Sequence, residues 1–194
     1  VAVTPSGDFV LFTSLAANLV TNQCDGLIGQ LFLRCRTNDL TRLVSVNGDG
    51  RAGGDSESLL GAVTPDGRYV VFESDASDLV ANDFNNASDI FVRDMVDGVT
   101  RLISGNHTAT GSGNGASSDP AITPDGRYVA FASDASDLVS GDANNFPDIF
   151  VRNLQTGVTT LVSAGARRGN ASLPNLAGSP QITPDGRFIA FTST

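Results

Sequence analysis

The residues best suited to chemistry lie in two short segments spaced 59 positions apart. Residues 83–89 read Asp-Phe-Asn-Asn-Ala-Ser-Asp and residues 142–148 read Asp-Ala-Asn-Asn-Phe-Pro-Asp. Over residues 81–89 and 140–148 the two Asp and two Asn are identical, whereas the other five positions differ. Oxygen-bearing side chains at the first, third and seventh positions, with backbone carbonyls between them, suit Ca²⁺ in a tight loop. The pattern predicts two calcium loops. Their ligands would be Asp83, Asn85 and Asp89, and Asp142, Asn144 and Asp148.

A second interpretation of these segments needs no metal. Asp and Asn side chains brace turns by accepting hydrogen bonds from nearby backbone N–H groups. Ca²⁺ prefers about six to eight oxygens, and each segment offers only three or four, with Asp78 and Asp137 as further candidates. Calcium binding and turn bracing therefore both remain open.

The corresponding loop of the first repeat is different. Residues 22–30 read Asn-Gln-Cys-Asp-Gly-Leu-Ile-Gly-Gln, which is one residue longer and ends in Gln30 instead of aspartate. The two cysteines of the chain are Cys24, in this loop, and Cys35. We expect a disulfide between them, which would brace the loop and indicate an oxidising compartment. The alternative is two thiols packed in the core.

Composition limits the remaining chemistry. His107 is the only histidine, which argues against Ser-His-Asp, Cys-His and histidine-rich zinc sites. No Gly-Xaa-Ser-Xaa-Gly nucleophile elbow occurs. The formal net charge of −9 argues against nucleic-acid binding, and no apolar run approaches the ~18 residues of a membrane-spanning helix. The sequence predicts no catalytic residue, no cofactor pocket, no nucleic-acid partner and no membrane span.

A repeat of 59 to 60 residues positions these segments. The run Val-Thr-Pro-Ser-Gly-Asp-Phe-Val-Leu-Phe of the first copy returns three times with few changes. The copies occupy residues 3–12, 63–72, 122–131 and 182–191. Each unit holds four short extended runs. In the second and third units, Pro-Asp-Gly turns join the first two runs, and Asp97-Gly98 and Thr156-Gly157 join the last two. In the third unit the runs are 120–123, 128–133, 148–153 and 158–163. Four antiparallel strands per repeat are typical of a β-propeller blade.

These residues resemble a known repeat. Thr-Pro-Asp-Gly at 123–126, Val-Ala-Phe at 129–131 and Asp-Ile-Phe-Val-Arg at 148–152 are similar to the TolB-like (WD40-like) bacterial β-propeller repeat. The hallmark of that family is Ser-Pro-Asp-Gly followed by a strand such as Ile-Ala-Phe. The resemblance covers almost the whole chain. It implies an extracellular or periplasmic propeller, and such propellers serve as binding proteins, scaffolds or caps on peptidases.

The predicted architecture is all-β, a single partial propeller of four-stranded antiparallel blades over residues 1–194. Three repeats and the first two strands of a fourth blade fill the chain. They run over about 1–60, 61–119, 120–179 and 180–194. Because propellers close with about four to eight blades, we expect either a piece of a longer protein or self-association through open blade edges.

Strand order assigns the loops to two faces. The turns between strands one and two and between strands three and four share one face, and the remaining connections share the other. The second face carries long segments at 46–61, 105–119 and 164–179, and aspartates crowd its other loops. Long loops on a rigid scaffold are where binding concentrates. The charge favours cations or basic partners, unless it is only a solvated surface.

These features predict a non-catalytic, extracytoplasmic module that binds or scaffolds a protein or peptide partner, with loops braced by calcium. The alternative is the propeller cap of a peptidase or other hydrolase whose catalytic domain lies outside this chain. A Gly-Xaa-Ser-Xaa-Gly motif in the flanking sequence would favour the alternative.

Overall fold

A computed structural model describes residues 1–142, 144, 146–164 and 177–193. Within those ranges the chain forms β-strands and no helix. The strands are β1 (Ala2–Val3), β2 (Phe9–Ser14), β3 (Gln30–Cys35), β4 (Leu40–Leu43), β5 (Ser58–Val63), β6 (Tyr69–Ser74), β7 (Asp89–Asp94), β8 (Val99–Leu102), β9 (Ser117–Ile122), β10 (Tyr128–Ser133), β11 (Asp148–Asn153), β12 (Thr159–Leu161), β13 (Ala177–Ile182) and β14 (Ile189–Ser193).

The strands pair antiparallel in chain order, as a propeller requires. Three sheets have four strands (β1–β4, β5–β8 and β9–β12), and β13 pairs with β14 in a fourth sheet. The predicted all-β fold with four-stranded blades is confirmed. Strands β10 and β11 have the predicted bounds, whereas β9 begins at Ser117, earlier than expected. Its register against β10 shifts near Asp119, whose φ of 56° marks a bulge that apolar patterning does not reveal.

Turns of sequence Thr-Pro-Asp-Gly, or Thr-Pro-Ser-Gly in the first blade, join the first two strands of each blade by a recurring set of bonds. Thr64 donates its N–H to the carbonyl of Tyr69 at 2.9 Å, and its hydroxyl donates to Oδ1 of Asp66 at 2.6 Å. Gly67 has a φ of 69°, and a Cβ there would lie 2.4 Å from the ring of Phe9 in the preceding blade. Glycine is therefore needed both for the backbone conformation and for the close contact between blades.

The hydrophobic core lies between the blades. Side chains of β6 alternate in direction, so Val70 and Phe72 pack with Leu33 of the first blade, whereas Val71 packs with Phe131 of the third. The central strands β6, β7, β10 and β11 therefore bury residues on both faces, which explains their nearly continuous apolar runs. The first strands β1, β5, β9 and β13 contact one another in succession, which places them on the inner side.

The two predicted faces are present. We call the surface formed by loops 15–29, 75–88 and 134–147 and by connections 44–57 and 103–116 the loop face, and the opposite surface the turn face. Hydrogen bonds join loops to connections across the loop face; for example, the N–H of Gly48 bonds the carbonyl of Asp78 at 2.7 Å. Of the connection predicted at 164–179, residues 165–176 lie outside the described residues.

The expected disulfide between Cys24 and Cys35 is absent from the structure, in which both thiols are free. Cys24 packs beside Phe32 in the loop before β3, and burial raises the pKa of its thiol. Cys35 ends β3, where its Sγ lies 3.1 Å from the hydroxyl of Thr37. A strand rises about 3.3 Å per residue, so β3 separates the thiols by more than the ~7 Å that a disulfide permits between Cα atoms.

Candidate functional site

In the second blade the predicted site is built around Asp89. This residue opens β7 opposite Ser74 of β6, and its side chain is completely buried. Its Oδ1 accepts a hydrogen bond from the hydroxyl of Ser104, which follows β8. Its Oδ2 is buried without a partner. Asp83, in the loop before β7, is 8% exposed and contributes a second unpartnered oxygen, Oδ1.

The carboxylates of Asp83 and Asp89 interact directly. Burial, together with the charge of Asp83, raises the pKa of Asp89 to about 7 despite the hydroxyl of Ser104. Burial also raises the pKa of Asp83, although a bond from Ser112 opposes the change. Two neighbouring carboxylates that are removed from water repel each other unless a proton or a cation lies between them. The pair is therefore unfavourable as two bare anions.

Asn85 braces the loop around this pair. Its Oδ1 accepts the N–H of Ala87 at 2.9 Å, and its Nδ2 donates to the carbonyl of Gly113 at 2.9 Å. The hydroxyl of Ser112 accepts the N–H groups of Phe84 at 3.0 Å and Asn85 at 3.2 Å. The turn-bracing interpretation therefore accounts for Asn85, and the connection to the third blade holds the loop in place.

The third blade repeats the arrangement with one difference. Asp148 opens β11 opposite Ser133, is 3% exposed, and accepts a hydrogen bond from the hydroxyl of Ser163 on Oδ1. Its Oδ2 accepts the Nδ2 of Asn144 at 2.6 Å. Oδ1 of Asp142 is buried without a partner, and burial and the charge of Asp148 raise the pKa of Asp142. The predicted residues are thus close together. Asn145, the fourth residue of the motif, lies outside the described residues.

The first blade has a neutral version of the site. Gln30 opens β3 opposite Ser14 and is 3% exposed. Its Oε1 accepts the hydroxyl of Ser45 at 2.6 Å, and its Nε2 donates to the carbonyl of Gly54 at 2.9 Å. An amide with both polar atoms bonded therefore stands where the other blades have a carboxylate. Nearby Asp25 braces its own turn through backbone N–H groups.

Sequence reasoning missed the serine donors of these sites. Ser45, Ser104 and Ser163 recur 59 residues apart, so a comparison of the repeats could have identified them. Serine has many ordinary roles, so its residue type alone does not indicate a site. The further candidates Asp78 and Asp137 are not at the sites, because their Oδ1 atoms accept backbone N–H groups of the neighbouring connections at 3.0 and 2.9 Å. In the described part of the chain no cluster of three or more His, Cys, Asp or Glu side chains occurs.

The loop face as a whole is acidic and carries exposed apolar side chains. Its acidic residues outside the strands are Asp25, Asp49, Asp55, Glu57, Asp75, Asp78, Asp83, Asp134, Asp137 and Asp142. Within its described segments the only arginine is Arg51, and the pair Arg167 and Arg168 lies outside the described residues. The most exposed large apolar side chains of the three loops are Leu27, Phe84 and Phe146, which are 82%, 70% and 46% exposed. The first loop also exposes Leu15 and Leu19.

Comparisons with known proteins identify the fold. No family model and no curated protein matches the chain. Among solved structures, the putative TolB from Agrobacterium tumefaciens is similar over 99% of this chain and 52% of its own, with a TM-score of 0.59 and 17% identity. A prolyl endopeptidase matches 96% of this chain and 24% of its own (TM-score 0.57, 17% identity), and the tricorn protease matches 96% and 14% (TM-score 0.52, 14% identity).

These likenesses confirm a partial, TolB-like β-propeller fold and show the fold alone. The chain spans about half the length of the TolB structure. Over the described residues there is no helix long and apolar enough to cross a membrane.

Proposed function

We propose that the chain is a non-catalytic, extracytoplasmic propeller module whose loop face binds a protein or peptide with basic and apolar side chains. The observation that carries the proposal is the projection of Leu27, Phe84 and Phe146 from three successive loops of an acidic surface. Exposed apolar groups surrounded by polar ones are typical of interaction surfaces. The acidic surroundings select for a basic partner and accelerate its encounter.

The loops that carry these anchors are held in place before any partner arrives. In the second blade Ser112 and Gly113 of the connection fix the loop that presents Phe84. In the third blade the N–H of Asn114 bonds Asp137 at 2.9 Å. Binding to loops that are already ordered avoids part of the entropy cost of association, which supports a recognition role for this face.

The experiment selects 12-residue peptides from a random display library on the immobilised protein and measures their binding by calorimetry. We expect selected peptides to combine Arg or Lys with apolar residues and to weaken as salt rises. The triple variant Leu27→Ser, Phe84→Ser, Phe146→Ser should bind at least tenfold more weakly. The matched control replaces three exposed apolar residues of the turn face, Val96→Ser, Val158→Ser and Phe188→Ser.

The control should change affinity by less than about twofold, because none of its residues lies on the loop face. Equal losses in both triple variants, or selection of peptides that bind only the turn face, would contradict the proposal.

The second candidate is the cap of a peptidase or other hydrolase, and it is favoured by the similarity to propellers of the prolyl endopeptidase and tricorn protease structures. In that case a catalytic domain outside this chain would cover one face of the propeller. The sequence of the parent gene distinguishes the two. A Gly-Xaa-Ser-Xaa-Gly elbow followed by an aspartate and a histidine would support the cap, and a parent made only of further repeats would support the binding module.

A further inference from the structure

We propose that Ca²⁺ binds between the carboxylates of Asp83 and Asp89 in the second blade and between those of Asp142 and Asp148 in the third, whereas the first blade binds none. This proposal concerns the interior of the loops and does not depend on any partner of the loop face. It rests on the carboxylate geometry of the described residues.

The unpartnered buried side-chain oxygens of the described residues all lie in the two predicted loops. In the described part of the chain three buried side-chain oxygens have no hydrogen-bond partner: Asp83 Oδ1, Asp89 Oδ2 and Asp142 Oδ1. A buried charged oxygen without a partner is strongly unfavourable, so proteins almost always satisfy such atoms. All three belong to the two predicted loops. Their coincidence with the motif indicates that a missing positive ligand satisfies them.

Turn bracing does not explain the carboxylate pair of the second blade. It explains Asn85, whose amide bonds Ala87 and Gly113. It leaves Oδ2 of Asp89, a completely buried atom, with nothing to accept. If Asp89 served only to accept the hydrogen bond from the Ser104 hydroxyl, the acidic side chain of Asp83 would not be needed beside it.

The first blade provides an internal control. There Gln30 accepts a hydrogen bond from the hydroxyl of Ser45, just as Asp89 accepts one from Ser104. The amide nitrogen of Gln30 donates a hydrogen bond to the carbonyl of Gly54. A neutral side chain therefore meets every structural demand of this position. The first blade folds without a charge at this position, which supports a separate function for the charge of Asp89.

The chemistry of the donors selects calcium among the common cations. The ligands that the second blade offers are the carboxylate oxygens and the second lone pair of the Asn85 Oδ1, a set of hard oxygens suited to Ca²⁺. Zn²⁺ favours His and Cys, which are absent from both motifs. Mg²⁺ requires a tighter octahedron and retains most of its waters. The remaining positions around Ca²⁺ would be filled by solvent.

The test is calorimetric titration of CaCl₂ into chelator-stripped protein, with thermal melts alongside. We expect about two ions per chain, and a melting temperature that rises with millimolar calcium because the ion binds only the folded form. Asp89→Gln recreates the Gln30 arrangement and should fold. It should lower the stoichiometry to about one, as should Asp148→Gln. The double variant should bind none.

The matched control is Asp25→Asn in the first blade, which should leave both ions bound because Asp25 only braces its own turn. Two outcomes would overturn the proposal. One is that titration of CaCl₂ into the unaltered protein produces no heat of binding and no change in melting temperature. The other is a melting temperature that does not change with calcium but increases as the pH is lowered from 8 to 6. That result would mean that the two carboxylates share a proton instead of binding a cation. Neither outcome affects the peptide experiment, so the two proposals fail separately.

Discussion

Replacing Asp94 by asparagine isolates one ion pair of the turn face. Asp94 ends β7, and its Oδ2 accepts two bonds from Arg68, at 3.1 Å from Nε and 2.9 Å from Nη2. Its Oδ1 accepts the N–H groups of Val96 and Asp97. The third blade has Asn153 at the same place and keeps the corresponding backbone bonds. Asp94→Asn should therefore preserve the turn and remove only the charge.

The magnitude follows from the pKa of Asp94. Burial alone would raise this pKa, but the bonds from Arg68 and from the backbone outweigh it and lower the pKa from 3.8 to about 2. That difference corresponds to about 2.4 kcal/mol. Because the Arg68 side chain is 39% exposed, solvent screening reduces the pair to about 1–2 kcal/mol.

The pH dependence has a definite sign. Since the pKa is lower in the folded state, the stabilisation is fully present above about pH 4–5 and is lost as the pH falls toward 2. Urea unfolding of both proteins at pH 7, 5, 4 and 3 should show a free-energy gap of about 1–2 kcal/mol at pH 7 that shrinks to about half by pH 3. Asp97→Asn is the control. Its carboxylate is 57% exposed, so we expect a change below about 0.5 kcal/mol. A gap that stayed constant from pH 7 to 3 would refute the reasoning.

Two further predictions concern the turns and the thiols. Gly126→Ala should lower the free energy of unfolding in urea by more than about 2 kcal/mol, because a φ of 67° coincides with a Cβ position 2.3 Å from the ring of Tyr69. Gly50→Ala, with a φ of 78° and open space around it, should lower it by about 1 kcal/mol. Equal losses in the two variants would contradict this prediction. The native, unreduced protein should release two equivalents of dye from Ellman's reagent. Cys35 should react faster than Cys24, because a hydrogen bond with the Thr37 hydroxyl lowers the pKa of Cys35 and burial raises the pKa of Cys24. No release of dye would mean that the two cysteines form a disulfide.

The repeat made most of the fold predictable. A period of 59 to 60 residues with four extended runs per unit was enough to predict the blades, the two faces and the exact bounds of β10 and β11. The start of β9 was not predictable, because the bulge at Asp119 depends on its positive φ and leaves no trace in the apolar pattern.

The candidate site was predictable only in part. Comparing the repeats identified Asp89 and Asp148, which the structure places at the first positions of β7 and β11. Ser104 escaped notice because a serine after a strand has many ordinary roles. The disulfide expectation failed because the number of cysteines says nothing about the distance between Cys24 and Cys35 along a rigid strand.

The hydrogen bonds that join loops to connections also restrict how the loop face can change over evolutionary time. In the second blade the loop is bonded on one side at Asp78, by Gly48, and on the other at Asn82, by Ser112. An insertion within the loop would pull one of these attachments out of register, whereas a substitution at an outward position would disturb neither. New recognition properties are therefore expected to arise by exchanging side chains such as Phe84 at constant loop length, and the loops of the second and third blades do share one length while differing in their outward residues.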